Sequence, residues 1–385
     1  MALFALIADV RCRAPYVLPS TSSNLNLLVV EGVVNTGSDS TIIHVTRTQK
    51  LTDTVNLVPE TGAALTIIDP SGGTFASLTE IKSGYYYMPG LNNPALQSIY
   101  KLKIVKGTGK TYMSDVLTVK NSPPIDSVNF EIGSNGLELY SATHDATNNS
   151  RYYRWDYKEN WKIEAGFQSN LEAQTNPHDT IIIRQPKDEI YVCFQNDTSS
   201  SIIINTSATL SQDVIAHNPV AFVASSSEKL SHEYCITVNQ YVLTKDAFNY
   251  WQNIKKNTEQ LGSIFDAQPS EIQGNIHSVS NPGEPVIGFI TMGTSAQKRL
   301  FIGNSQVPKF WYEEIASPYV GCKIDTFLFI DPRHGNSNTT LELYKGYEIP
   351  LYAYLTYGYY AARSYCADCR FRGTTTPPSF WIDKF

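Results

Sequence analysis

Hydrophobic and polar positions along the first third of the chain alternate in short segments, and the alternation predicts strands. Leu27-Leu28-Val29-Val30-Glu31-Gly32-Val33-Val34 reads as a buried strand, and Thr41–Arg47 follows with polar and apolar positions in turn. Ala64–Ile68 is a third, ended by the turn Asp69-Pro70-Ser71-Gly72-Gly73, and Gly84-Tyr85-Tyr86-Tyr87 opens a fourth. Tyr100, Leu102 and Ile104 alternate with Lys101 and Lys103, the period of a half-buried strand, and Val116–Val119 closes the unit. Short strands separated by Gly and Pro turns, with no helical period, predict an immunoglobulin-like β-sandwich over 26–122, preceded by a leader or tether over 1–25. Ser122-Pro123-Pro124-Ile125-Asp126 marks the boundary, because two prolines remove two backbone donors and hold the chain extended.

From 123 to 385 the pattern predicts a larger β-rich domain with one main helix. Strands are expected at Tyr152–Tyr157, Thr180–Arg184, Ile190–Phe194, Ser201–Asn205, Tyr234–Tyr241, Val286–Thr291 and Arg299–Ile302. The helix is expected at about 245–260, with Thr244 as its cap, Phe248, Trp251 and Ile254 as its apolar stripe and Gly262 at its end. The fold class is therefore mainly β.

Composition narrows the classes of function. Charged residues make up only 17% and tyrosine reaches 24, so much of the surface is uncharged and polar or aromatic. A net charge of −6 argues against nucleic acid, which wants clustered Lys and Arg. No apolar run reaches the roughly 18 residues of a membrane-spanning helix. Two readings of the N-terminus stand. Met1–Ala8 is the end of a secretory signal with Cys12 as the lipidated residue, or it is a first strand with a stray cysteine. The residues Asp9-Val10-Arg11 suit lipoprotein cleavage poorly.

Catalytic patterns are scarce. Gly107-Thr108-Gly109-Lys110-Thr111 resembles the end of a phosphate loop, but Ile104 stands where the first glycine belongs, and the flanking strands make it a hairpin turn. The seven histidines form no metal-binding spacing, and no nucleophile elbow occurs. The adjacent acids Asp188-Glu189 read as a solvated turn. Cys366-Ala-Asp-Cys369 lacks the second pair a zinc site would need, so a disulfide is expected from Cys322 to Cys369 or, failing that, to Cys366. Cys193 and Cys235 are expected as buried thiols. Tyr352, Tyr354, Tyr357 and Tyr359, in the tyrosine-rich last 40 residues, form a candidate aromatic binding surface, since such rings pair an apolar face with a polar tip.

Four segments carry a resemblance. They are Leu27–Asn35, then Pro124-Ile125-Asp126 with Tyr152-Tyr153-Arg154-Trp155, then Lys229–Tyr234 with the helix and the string Gly262–Ile276, and finally Cys366–Arg370 with Pro378, Phe380 and Trp381. Together they resemble domain-of-unknown-function family 4249, outer-membrane lipoproteins of Gram-negative bacteria. The resemblance implies an exported, lipid-anchored, non-enzymatic binding or scaffold module, with no cofactor, accessory to a TonB-dependent transporter and taking a glycan or peptide. The alternative class is a glycan- or peptide-acting hydrolase using carboxylates, which would need two carboxyl groups facing each other in a cleft. In the string itself, Gly262 is expected to cap the helix, Phe265 to plug its apolar stripe, Pro269 to stop it, and Gly274-Asn275 to turn the chain into the next strand.

Overall fold

The computed structural model describes residues 26–49, 58–93, 96, 99–174, 180–259, 274–313, 318–330 and 341–382. Cys12, Gly262, Phe265 and Pro269 lie outside the described residues.

The six expected N-terminal strands are present among nine: β1 (Leu28–Asn35), β2 (Thr41–Arg47), β4 (Ala64–Ile68), β6 (Tyr85–Met88), β7 (Ile99–Val105) and β9 (Leu117–Lys120) match the sequence reading, while β3 (Val58–Pro59), β5 (Thr74–Lys82) and β8 (Thr111–Ser114) are additional. The phosphate-loop look-alike is the β7–β8 turn, closed by the Lys106 and Gly109 amides, with Gly109 at φ +85°. Alternation places Leu65, Ile67, Tyr86, Leu102 and Ile104 in one apolar core with Leu28, Val30, Ile43 and Val45.

Two findings differ from the sequence reading. First, the strands form one ring rather than two separate sheets. β7 gives its second edge to β9 at Ile99 and Tyr100 and to β8 at Lys103–Val105, so the path β7-β4-β5-β6-β2-β1-β21-β9 returns to β7. Closure removes the open edges that two sheets would carry. Second, residues 26–122 do not complete this unit. Chain that comes back after the helix completes it in three short strands whose ranges are given below: one fills the gap between β1 and β9, one adds to β1 and one pairs with β8.

The second body contributes β10 (Ile125–Ile132), β11 (Gly136–Asp145), β12 (Tyr152–Glu164), β13 (Leu171–Gln174), β14 (Thr180–Ile183), β15 (Val192–Thr198), β16 (Ile203–Thr206), β17 (Asp213–Ala224) and β18 (Glu233–Val242). Helix α1 (Lys245–Glu259) follows, with the Thr244 hydroxyl accepting from the Ala247 amide at 3.2 Å as its cap. The chain then returns to the ring as β19 (Ile276–Ser278), β20 (Val286–Ile287) and β21 (Thr291–Gly293), and re-enters the second body as β22 (Ser295–Gly303). β19 pairs with β8, β20 and β21 lie parallel to β1, and β21 is parallel to β9. The single strand expected over Val286–Thr291 is broken at Gly288, which sits at φ +125° with its Cα against Val30; a Cβ there would stand 1.9 Å from the Val30 carbonyl oxygen.

A three-stranded sheet, β10-β11-β17, faces a five-stranded one in which β12 pairs with β18 on one edge and with β15 and β16 in turn on the other, while β22 pairs with β18. Between them Leu137, Leu139, Tyr153, Trp155, Tyr234 and Ile236 share one core. Gln240 is fully buried and ties the bodies together. It accepts from Trp155 Nε1 at 3.1 Å and donates to the Pro123 carbonyl at 2.9 Å, which fixes the proline linker against the core.

Beyond β22 come β23 (Asp325–Leu328), β24 (Glu348–Tyr354) and β25 (Gly358–Arg363), which form a small sheet in the order β23-β25-β24. Cys322 bonds to Cys366, the second of the two expected partners, and not to Cys369. Cys369 instead reaches back to Cys193 on β15. Cys193 is therefore half of a second bridge and not a free thiol. A buried strand position suits either state equally, so local pattern does not separate them. Cys235 is buried and takes part in neither disulfide.

Candidate functional site

The outer face of the five-stranded sheet is covered at one end by the C-terminal segment, where Trp381 meets Phe194 and Phe301 edge-on. At the other end it stays open. Strand register builds that open end in two rows. Asp156 on β12, Asn239 on β18 and Gln297 on β22 are direct cross-strand neighbours, as are Arg154, Tyr241 and Ser295. Because side chains alternate, these residues point away from the core that holds Tyr153 and Trp155.

Hydrogen bonds tie the first row together and join it to Arg154 of the second. Arg154 Nη2 donates to Asp156 at 2.9 Å, Asn239 Nδ2 donates to the other Asp156 oxygen at 2.7 Å, and Gln297 Nε2 donates to Asn239 at 2.9 Å. The guanidinium of Arg154 also lies 4.5 Å from the Trp251 ring of α1 and 5.0 Å from the Tyr241 ring. This packing makes a flat cationic shelf with an aromatic backing. Burial, with the Asp156 carboxylate nearby, pushes the Tyr241 hydroxyl well above its ordinary range, so it remains a neutral donor.

The ring supplies the opposite wall. Gly32, Val33, Asn35 and Asp39 face the two rows, and Ser295 bridges the bodies by donating to Asp39 at 3.0 Å while accepting from Asn35 at 3.2 Å. The loop Ser199–Ser201 forms a third side. The enclosed cleft is about 650 Å³, within the usual range of ligand sites. It presents amides, hydroxyls, one shelved guanidinium and aromatic rings. Asp39 and Asp156 are the acids lining it, and both already accept hydrogen bonds from protein groups. Among the described residues no cluster of His, Cys, Asp or Glu is arranged to hold a metal ion, and no described helix is long and apolar enough to cross a membrane.

None of the candidate site residues named from sequence lines this cleft, although Gly32, Arg154, Trp155 and Trp251, which entered the sequence reading through the resemblance or the helix stripe, do. Gly274 and Asn275 do lead into β19 as expected, but their main task is closer packing. A Cβ on Gly274 would stand 1.8 Å from the Gly288 carbonyl oxygen, and Asn275 is buried with its side chain on the backbone of Ile290. The tyrosines divide between two faces. Tyr352 and Tyr354 share a face with Tyr360, ring centroids 4.9 Å apart in each pair, and Tyr357 in the turn stands 6.3 Å from Tyr354. Tyr359 is paired opposite Ala353, on the other face, against Phe329. Asp188 ends a short helical turn, and Glu189 accepts from the Ile190 and Tyr191 amides, a local structural cap. The cleft residues were missed because their signal is alternation within β12 and β18, which any half-buried strand shows.

Structure and pattern together define a two-body β protein whose bodies are interleaved along the chain and enclose a polar cleft. The chain belongs to the family described as domain of unknown function DUF4249, which matches residues 13–299. The C-terminal segment around Cys366–Arg370, which entered the resemblance, lies beyond the matched residues. A comparison with curated proteins finds no match. Among solved structures, the collagen adhesin of S. aureus aligns over 73% of this chain and 97% of its own, at 10% identity and a TM-score of 0.12, too low to support an argument.

Proposed function

We propose that this protein is a non-enzymatic binding module, exported and lipid-anchored at the outer membrane, that works beside a TonB-dependent transporter and holds its ligand in the cleft between the two bodies. The cleft is the observation that carries the reading. It offers hydrogen-bond donors and acceptors with little net charge, on a shelf of Arg154, Tyr241 and Trp251, and that chemistry suits the hydroxyls and apolar faces of a glycan. Anchoring through Cys12 and the transporter partnership rest on family resemblance.

Two measurements test this. Calorimetric titration with a panel of neutral oligosaccharides should give saturable binding, weakened about tenfold or more by Trp251→Ala through loss of the shelf. Heat without product release supports a binding role, whereas hydrolysis of the titrant would favour the hydrolase alternative. Purification of the full-length protein from outer membranes in mild detergent should recover a β-barrel transporter with it, and recovery of the protein alone would overturn the accessory role.

A further inference from the structure

A second groove lies on the far side of the segment 201–203 that walls the cleft. It runs between β16 of the five-stranded sheet and β17 of the three-stranded sheet and measures about 740 Å³. Among the described residues, no strand pairs with the outer edge of β16 or of β17.

The pairing shows which groups face the groove. The Ser207 amide bonds to the Arg151 carbonyl, so in the β12–β16 ladder the hydrogen-bonded pairs are Tyr153 with Asn205 and Trp155 with Ile203. The N–H and C=O of Ile204 between them point away from β12. On the other wall, the Ser225 amide bonds to Asn135 and the Ser227 amide bonds to the Ala224 carbonyl. Ala224 therefore faces away from β11, and Phe222, two residues before it, faces the same way. Neither Ile204 nor Phe222 has a backbone partner across the groove.

A third observation is independent of the edges. Asn218 lines the groove and is 3% exposed; its oxygen accepts from Asn205 at 3.0 Å, while its Nδ2 has no hydrogen-bond partner among the described residues. A buried, unpaired amide donor is costly, and a ligand acceptor would remove that cost. The remaining lining is mixed: Ile203 and Val220 are buried and Phe222 is 57% exposed at the mouth, while Glu138, Ser201, Asn205 and Lys255 add polar groups.

We propose that this groove receives an extended peptide, which enters as an added strand. Its backbone would pair with Ile204 and Phe222, one of its carbonyls would accept from Asn218 Nδ2, and alternate apolar side chains would fill the space between Ile203 and Val220. Strand addition fits better than a sugar because the unmet groups are backbone N–H and C=O in strand geometry. Pro219 removes a donor from one wall but leaves the two outward residues untouched. The proposal stands whether or not the inter-body cleft binds a glycan.

The test uses the full chain and fluorescein-labelled peptides of the form acetyl-Lys-X-Thr-X-Thr-X-Lys-amide, with X as Val, Ile or Phe, read by fluorescence anisotropy. At least one should bind saturably. Methylating alternate backbone nitrogens of that peptide should weaken binding about tenfold or more, since one or two strand hydrogen bonds are lost. Ile204→Pro, which deletes an outward N–H that β12 does not use, should do the same while leaving the thermal midpoint in place; Ile204→Ala should bind as the wild type does. Absence of binding by the whole panel, or binding that survives both N-methylation and Ile204→Pro, overturns the proposal. The N-methyl arm alters only the probe, so it remains decisive even if Ile204→Pro fails to fold.

Discussion

Replacing Asn275 with Ala should loosen a ring whose N-terminal strands, β1 to β9, end at Lys120, far upstream in the chain. The Asn275 side chain donates to the Ile290 carbonyl at 2.8 Å and accepts from the Ile290 amide at 2.9 Å, and both residues are buried. Alanine leaves two buried backbone groups unpaired, each costing about 1–3 kcal/mol. Partial entry of water offsets some of this, so we expect a loss of about 2–5 kcal/mol. The damage should appear first in β1, whose parallel neighbours β20 and β21 flank Ile290. All 5 tryptophans lie outside the segment 26–122, so their fluorescence reports the second body. The suitable assay for the ring is amide hydrogen exchange at Val29–Val33. Exchange there should speed up by at least about 30-fold, the counterpart of about 2 kcal/mol. Asn275→Asp keeps the acceptor but turns an oxygen toward the Ile290 carbonyl, so it should be at least as damaging at neutral pH. Unchanged exchange in β1, with a stability change under about 0.5 kcal/mol, would mean that the returning strands are not part of the ring's stability.

Four further outcomes follow from named contacts. Gly288→Ala should cost about 3 kcal/mol or prevent folding, because φ is +125° and the new methyl would collide with the Val30 carbonyl; soluble yield and denaturant midpoint read it. Removing the Cys193–Cys369 bridge, separation 176, should destabilise more than removing Cys322–Cys366, separation 44, by about 1 kcal/mol of loop-closure entropy in matched Cys→Ala pairs. At Asp145, burial raises the pKa but hydrogen bonds from Thr147 and Ser150 outweigh it and bring it down to about 2. A carboxyl lowered by folding stabilises above its unfolded value and loses that contribution as pH falls from about 4 to about 2, so Asp145→Asn should flatten the fall in thermal midpoint across that window. Leu355 sits at φ +48° and is 76% exposed, so Leu355→Asn should raise stability by about 0.5–1 kcal/mol in chemical denaturation, since asparagine tolerates that backbone and no core contact is lost.

Strand existence was legible where alternation ran for five or more residues, as in β2, β4 and β7. The helix was legible from Thr244 and the stripe of Phe248 and Trp251. Ring closure was not, because β20 and β21 have two and three residues, too few for a period, and their partner lies at the other end of the chain. Cysteine connectivity was half legible: Cys366 was named second, while Cys193 looked like any buried strand residue. In the tyrosine-rich segment, register was the part that spacing did not show. The turn Tyr354–Tyr357 and the bulge after Pro350 set Tyr360, not Tyr359, opposite Tyr352, and neither feature shows in side-chain spacing. The cleft was least legible, because Asp156, Asn239 and Gln297 become neighbours only when three strands are in register.

The extent of the family match bears on which of these surfaces membership can speak for. Every residue lining the inter-body cleft, from Gly32 to Gln297, falls within 13–299, and so does the β16–β17 groove. The sheet that carries Tyr352, Tyr354 and Tyr360 lies wholly beyond residue 299 and is fastened to the matched framework through Cys193–Cys369. Family membership therefore bears on the cleft and the groove, which lie within the matched residues, and not on the tyrosine face. The tyrosine face needs its own evidence, because the disulfide that holds it in place explains its position without requiring that it bind anything.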